Sequence, residues 1–156
     1  MTSQRTKAEN ALVEYIKQNN VKGEDVTLIG VSHGGNVAIQ AAGILGEGGI
    51  KVNVITVNTP AENNPKDVEN PNSIEGINDM IQITTEGDWV AGGLSTEDRT
   101  YNKKPTTHER QELELKNNAK WYQPMKIHGT ENVDTKQIRN SNLRKLKPID
   151  DEHQLK

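Results

Sequence analysis

The chain has 156 residues, of which 31% are hydrophobic, a formal net charge of −3 at pH 7 and no cysteine. This length suits one domain with a small core, and the missing cysteines exclude disulfides and thiolate metal sites. The interspersed charges exclude a basic stripe for nucleic acid and a polybasic membrane patch, and no apolar run is long enough for a transmembrane helix.

The N-terminal stretch predicts a helix and no export signal. The first seven residues lack the apolar core of a signal peptide, so location is left open between the cytoplasm and delivery within a larger secreted protein. Residues 6–18 then repeat apolar side chains at helical spacing, and Thr6 with Glu9 fits a capping box. We therefore expect an amphipathic helix with one buried face.

The next stretch has the order strand, glycine-flanked serine, helix. Residues 26–31 form an apolar, β-branched run typical of a strand buried on both faces, and small helix formers follow over residues 36–45. Between them lies Gly30-Val-Ser32-His-Gly34, the G-x-S-x-G spelling of a nucleophile elbow. A serine on so tight a turn takes a strained backbone conformation, and we expect Gly30 and Gly34 to give it room.

This elbow geometry predicts a nucleophile and an oxyanion site. The turn would lift the Ser32 hydroxyl off the strand end and aim the first N–H groups of the helix, that of His33 among them, at one point. The alternatives are a glycine-rich connection with an incidental serine, or a phosphate-binding turn. A nucleotide site is less favoured, because no lysine follows the glycines at P-loop spacing and no G-x-G-x-x-G is present.

Further strands follow the elbow unit. Residues 50–57 are rich in Val and Ile, and by the handedness rule they predict a second strand parallel to the first. Residues 62–73 are polar and predict an exposed loop, and residues 80–85 predict a third strand. Residues 112–116 alternate as a half-buried edge strand does, with a short helix as the alternative. The expected fold is α/β, a mostly parallel sheet with helices on both faces.

The C-terminal part carries less pattern. Residues 132–142 predict a weakly periodic final helix, and residues 143–156 are charged and predict a flexible tail. We therefore place one domain over residues 1–142.

A serine nucleophile needs a carboxylate that orients its histidine base. Asp88 is the favoured acid, because it follows Gly87 just past the third strand and would project from the same sheet edge as Ser32. Glu86 is the substitute, and Asp79 lies at the wrong end of the strand. An ordinary turn aspartate remains the alternative interpretation of Asp88.

Four histidines compete for the role of general base. His33 is too close to Ser32 in sequence to fold back onto it, so its expected contribution is its backbone N–H. His108 lies in a polar stretch and His153 in the charged tail. His128 follows an apolar segment and precedes the predicted final helix, where a loop would present it, so we favour His128.

Taken together, these motifs resemble a lipase-like serine hydrolase of the α/β-hydrolase superfamily. The resemblance rests on the helix, the elbow, Val57-Asn-Thr-Pro60-Ala, Gly87-Asp88-Trp-Val90 and His128, and it covers roughly residues 6–140. It is greatest to the small hydrolase domains at the C-terminal ends of large bacterial secreted or polymorphic-toxin proteins. The family implies a partial α/β-hydrolase fold, an ester or lipid substrate and no cofactor.

Carried over to this sequence, the family implies Ser32 as nucleophile, Asp88 as acid, His128 as base and the His33 N–H in the oxyanion hole. Family members have further strands before the first helix, and one loop there supplies a second oxyanion donor. We therefore expect pairing with a missing N-terminal part or self-association, and an inactive domain that serves binding or assembly is the alternative function. A metal site is not expected, because His108-Glu109 lacks the second histidine of a zinc helix.

Overall fold

In a computed structural model of the protein, the described residues are 3–20, 23–64, 66–88, 100–117, 128, 130 and 133–155. Helix α1 spans Ser3–Asn19, α2 spans His33–Glu47 and α3 spans Thr135–Arg139. The strands are β1 (Thr27–Val31), β2 (Val52–Val57), β3 (Ile77–Thr85) and β4 (Glu109–Leu115), with 3-10 turns at Pro71–Ser73 and Asp151–His153. Within the described ranges, no helix is both long and apolar enough to cross a membrane.

The four strands form one parallel sheet in the order β1-β2-β3-β4. The predicted α/β class with a parallel sheet is thereby confirmed, and the segment expected as either an edge strand or a short helix is the strand β4. Strand β3 begins at Ile77, three residues before the predicted start, and α3 is shorter than the predicted final helix.

Helices α1 and α2 cover one face of the sheet. Their buried side chains, Val13, Ile39 and Leu45 among them, join Val54 and Met80 of the central strands in the larger apolar core. The alanines of α2 let the helix lie close to the sheet, and we attribute most of its stability to this buried stripe. This packing fixes the amino end of α2 beside the carboxyl end of β1.

Among the described residues, the opposite face is covered over β3 and β4 but only in part over β1, where Val31 packs at the carboxyl end. Ile81, Ile83 and Leu115 pack there against Ile138 of α3 and Leu143. On β1, in contrast, Ile29 is 68% exposed, and the burial pattern alternates along the strand. The prediction that β1 is buried on both faces is therefore wrong. The physical reason is that β1 ends the strand order, away from the cover that α3 gives.

Residues 143–155 lie against the amino end of the sheet, in contrast to the flexible tail that their charge predicts. Arg144 forms two hydrogen bonds with the fully buried carboxylate of Asp79, and the Lys147 N–H donates to the same carboxylate at 2.9 Å. Ile149 is buried, and the backbone oxygen of His153 accepts from the Lys51 N–H at 2.9 Å. A buried acid that needs a cation explains why a charged segment is held here.

Candidate active site

The turn at the end of β1 holds Ser32 in a strained conformation. Its φ is 51° and its ψ is −134°, a backbone conformation that residues other than glycine rarely adopt. The Ser32 backbone N–H donates to the Val57 backbone oxygen at 2.9 Å, and the Ser32 backbone oxygen accepts from the Gly35 N–H at 3.0 Å. Both bonds hold the residue between strand and helix, as a nucleophile elbow requires.

The glycines that make room for this turn are Gly30 and Gly35. A Cβ on Gly30 would lie 2.4 Å from the backbone of Gly34 and Gly35, and one on Gly35 would lie 2.0 Å from Thr59 Oγ1. A Cβ on Gly34 would meet no atom within 4 Å. The expectation for Gly30 therefore agrees with the structure, whereas the expectation for Gly34 is wrong because that residue faces open space on α2.

Asp88 follows the end of β3 on a tight turn. Gly87 has a φ of 75°, and the Asp88 N–H donates to the Thr85 oxygen at 3.1 Å. A positive φ of this kind favours glycine, because glycine has no Cβ that could clash with the backbone. The Asp88 side chain is 1% exposed. The turn thus points a buried carboxylate across the carboxyl edge of the sheet.

His128 lies between Asp88 and Ser32. Its Nδ1 is 2.9 Å from Asp88 Oδ2 and its Nε2 is 2.7 Å from Ser32 Oγ. A carboxylate can only accept, so the ring proton belongs on Nδ1, which leaves Nε2 to accept the Ser32 O–H. The His128 side chain is 11% exposed. Ser32 and His128 are 96 residues apart in the sequence. The three side chains nevertheless form one continuous series of hydrogen bonds.

Asn58 is a site residue that the sequence reasoning missed. It is buried, its φ is 48°, and its Nδ2 donates to the backbone oxygen of His128 at 3.2 Å. Its N–H donates to the Ile83 oxygen at 2.9 Å, which extends the ladder beyond β2. The available signal was an asparagine directly after the strand beside the elbow strand, because Asn tolerates a left-handed backbone better than most residues.

The other predicted candidates lie elsewhere. Glu86 is exposed and pairs with Lys116 at 3.6 Å, and Asp79 is bound by Arg144 at the amino end of the sheet. His108 directly precedes β4, so it too lies at the amino end. Burial, and then the Arg110 charge, lower the pKa of His108 to about 4.

His153 belongs to the C-terminal 3-10 turn, beside the start of β2, and is remote from Ser32. His33 is exposed and is the first residue of α2, so its backbone N–H lies at the amino end of that helix, next to Ser32. Trp89 and Val90, which contribute to the family resemblance, lie outside the described residues.

The part of the chain that the structure describes offers one group of three possible metal ligands. Asp150, Glu152 and His153 can bring one atom each within 4.8 Å of one another, and the two acids are exposed at the surface. This group lies at the amino end of the sheet, opposite the hydrogen-bonded side chains of Ser32, His128 and Asp88.

Comparisons of the sequence with protein-family models, with curated proteins and with solved structures find no match.

Proposed function

We propose that this protein is a serine hydrolase that cleaves carboxylic esters, with Ser32 as nucleophile, His128 as general base and Asp88 as the acid that orients it. The observation that carries the proposal is the continuous chain from Ser32 Oγ through the imidazole to Asp88, with distances of 2.7 and 2.9 Å. The strained backbone of Ser32 supports it, because strain of this kind is typical of a nucleophile elbow.

Each residue has a defined part in the proposed reaction. Ser32 Oγ attacks the ester carbonyl as its proton passes to His128 Nε2. Asp88 keeps the other ring proton on Nδ1 and stabilises the imidazolium that forms. The tetrahedral intermediate then collapses, and His128 gives its proton to the departing alcohol. Water then attacks the acyl-enzyme as His128 takes its proton, and the proton passes to Ser32 Oγ as the carboxylic acid leaves.

The negative oxygen of the intermediate needs hydrogen-bond donors. We propose the backbone N–H of His33 as one of them, because α2 begins there and its dipole favours negative charge. Lipid and short acyl esters are the proposed substrate class, as the family resemblance implies. With two Trp, three Tyr and no Phe in the chain, a large aromatic substrate is disfavoured.

A fluorophosphonate probe tests the proposal, since it reacts with activated serines. We expect labelling of Ser32 in the folded protein, none in Ser32→Ala, and a loss of roughly 10⁴-fold in ester turnover in Asp88→Asn, where the wrong tautomer is favoured. Ser73→Ala is the matched control, because Ser73 is an exposed serine in the 3-10 turn before β3. Absence of labelling in correctly folded protein would rule the proposal out.

A binding or assembly role is the second candidate, and the exposure of Ile29 favours it. This side chain is 68% exposed on β1, the last strand of the described order, where another strand could pair. Light scattering separates the two candidates. A dimer that Ile29→Asp converts to monomer, together with no ester turnover, would favour assembly, whereas an active monomer would contradict it.

A further inference from the structure

A cavity of about 220 Å³ lies between α1, α2 and the segment that leads to β3. Glu9, Gln40 and Glu47 supply its polar side chains, and Ile44, Val68 and Ile74 supply an apolar wall. Gln40 comes eight residues after Ser32, so the cavity lies about 12 Å or more along α2 from the proposed nucleophile. It is therefore separate from the candidate active site.

Two buried residues that line this cavity each have one acceptor atom without a hydrogen-bond partner in the described part of the chain. Glu9 is 7% and Gln40 is 3% exposed. Gln40 Nε2 donates to Glu69 Oε1 at 2.6 Å, so the amide oxygen of Gln40 points elsewhere. Within the described residues, that oxygen and Glu9 Oε2 have no hydrogen-bond partner. Buried polar atoms are nearly always paired, so two such acceptors on neighbouring residues that line one cavity indicate a missing donor.

The electrostatics around the cavity favour a cation as the missing donor. Burial, and then the charge of nearby Glu69, raise the pKa of Glu9 above its usual value. A positive group in the cavity would counteract both effects and lower the pKa of Glu9, because an opposite charge favours the ionised carboxylate. Glu47, which also lines the cavity, adds a third carboxylate to the surroundings.

The apolar wall selects among cations. A divalent metal ion takes six or more oxygen ligands, waters included, and Ile44, Val68 and Ile74 offer it none. A primary ammonium donates three hydrogen bonds, and an attached alkyl chain gains from contact with the same apolar side chains. We propose that this cavity binds a primary ammonium group carried on a short aliphatic chain, from a lysine side chain of another protein or from a free alkylamine.

Chemical-shift titration of the full-length protein with n-butylammonium chloride tests the proposal. We expect saturable shifts at residues that line the cavity, and no saturable shifts with n-butanol, which has the same chain without the charge. Glu9→Gln should weaken n-butylammonium binding at least tenfold. Glu14→Gln, which removes the same charge from the exposed side of α1, should leave it unchanged.

Val68→Ala is a second variant, chosen because Val68 is 50% exposed and its truncation should spare the fold. It should weaken n-butylammonium severalfold and leave methylammonium unchanged. Equal binding to the wild type and to Glu9→Gln, saturable binding of n-butanol, or tighter binding of calcium chloride would each overturn the proposal. If Glu9→Gln does not fold, the Val68→Ala comparison decides.

A further arm identifies the source of the ammonium group. N-acetyl-lysine methylamide that binds more tightly than n-butylammonium would point to a lysine of a partner protein, and the reverse order to a free amine. Neither result depends on ester turnover.

Discussion

At the scale of single residues, the candidate site depends on two residues whose backbones are left-handed although neither is glycine. Ser32 and Asn58 follow neighbouring parallel strands and have φ values of 51° and 48°. Strain of this kind costs about 1–3 kcal/mol for each residue, and it persists only where the surroundings fix it. Here the N–H of each residue bonds the next strand, at Val57 and Ile83. Ser32 thereby presents its hydroxyl, and Asn58 holds the backbone of His128.

The Asn58 contact makes the first prediction. In Asn58→Gly the backbone keeps its left-handed conformation without strain, but the hydrogen bond to the His128 oxygen is lost. A net hydrogen bond contributes about 0.5–1.5 kcal/mol, so we expect kcat for a short-chain ester to fall about 2- to 13-fold with KM unchanged. Steady-state kinetics measure both constants. Asn142→Gly, at an exposed position, is the control, and an unchanged kcat in Asn58→Gly would contradict the positioning role.

The glycines of the elbow make the second prediction. Gly34→Ala should fold and be as stable as the wild type or up to about 1 kcal/mol more stable, because its Cβ meets open space on a helix. Gly35→Ala should lose about 1–3 kcal/mol or more, because its Cβ would collide with Thr59. Urea unfolding measures both. The opposite ranking would show that the backbone at this turn is placed differently.

At the scale of the elements, an ion pair on the buried Asp79 helps to hold strand β3 to the C-terminal segment. Asp79 is fully buried, and Arg144 binds both of its carboxylate oxygens, while Glu109 of β4 accepts from the same guanidinium at 2.7 Å. Burial acts to raise the pKa of Asp79, but Arg144 and the N–H groups of Lys147 and Met80 lower it below its usual value. The acid therefore stays ionised inside the protein.

Removing the cation of this pair should destabilise the fold. In Arg144→Leu the buried carboxylate of Asp79 keeps only backbone donors, and a broken buried pair costs about 3–5 kcal/mol. We expect the lower end of that range, because the Arg144 side chain is 36% exposed. Urea unfolding at pH 7 checks the value. Arg139→Leu, on the exposed side of α3, should change stability by less than about 0.5 kcal/mol, and an equal loss there would contradict the argument.

The elements themselves were predictable where their pattern is local. The sequence alone indicates β1 and β2 by their β-branched runs and α2 by its alanines, because packing in or against a sheet favours such residues. The start of β3 could not be predicted, because Asn78 and Asp79 are polar, and the buried Asp79 needs the guanidinium of Arg144, 65 residues later. The exposure of Ile29 also depends on the order of the strands in the sheet, which the periodicity of the sequence does not contain.

At the scale of the whole molecule, the candidate site and a group of titratable residues lie at opposite ends of the parallel sheet. Ser32, Asn58 and Asp88 all follow carboxyl ends of strands, where side chains from different strands converge. The choice of Asp88 from the sequence used this rule, which needs only the strand boundaries, whereas Ser32 was chosen from the G-x-S-x-G motif. The contact of Asn58 with His128 could not be predicted, because it joins an amide to a backbone oxygen 70 residues away.

The amino end holds titratable groups that should govern stability against acid. His108 is partly buried, its Nδ1 contacts Thr107 Oγ1 at 3.1 Å, and its Nε2 is buried without a partner in the described residues. Burial and then Arg110 lower its pKa from 6.5 to about 4, so the folded state resists its protonation. The unfolded chain binds this proton more readily, and stability is fully present above pH 6.5 and lost as pH falls toward 4.

The last prediction follows from the size and sign of this shift. A change from 6.5 to about 4 corresponds to at most about 3 kcal/mol, lost between pH 6.5 and 4. Glu9 acts in the opposite direction, because its raised pKa favours the folded state as pH falls toward 4.5, and Asp79 loses its contribution only below about pH 3.8. Urea unfolding at pH 7, 6 and 5 should therefore show a decline in the wild type that is smaller in His108→Gln and steeper in Glu9→Gln. Parallel declines in all three proteins would mean that neither group is protected from solvent in the folded state.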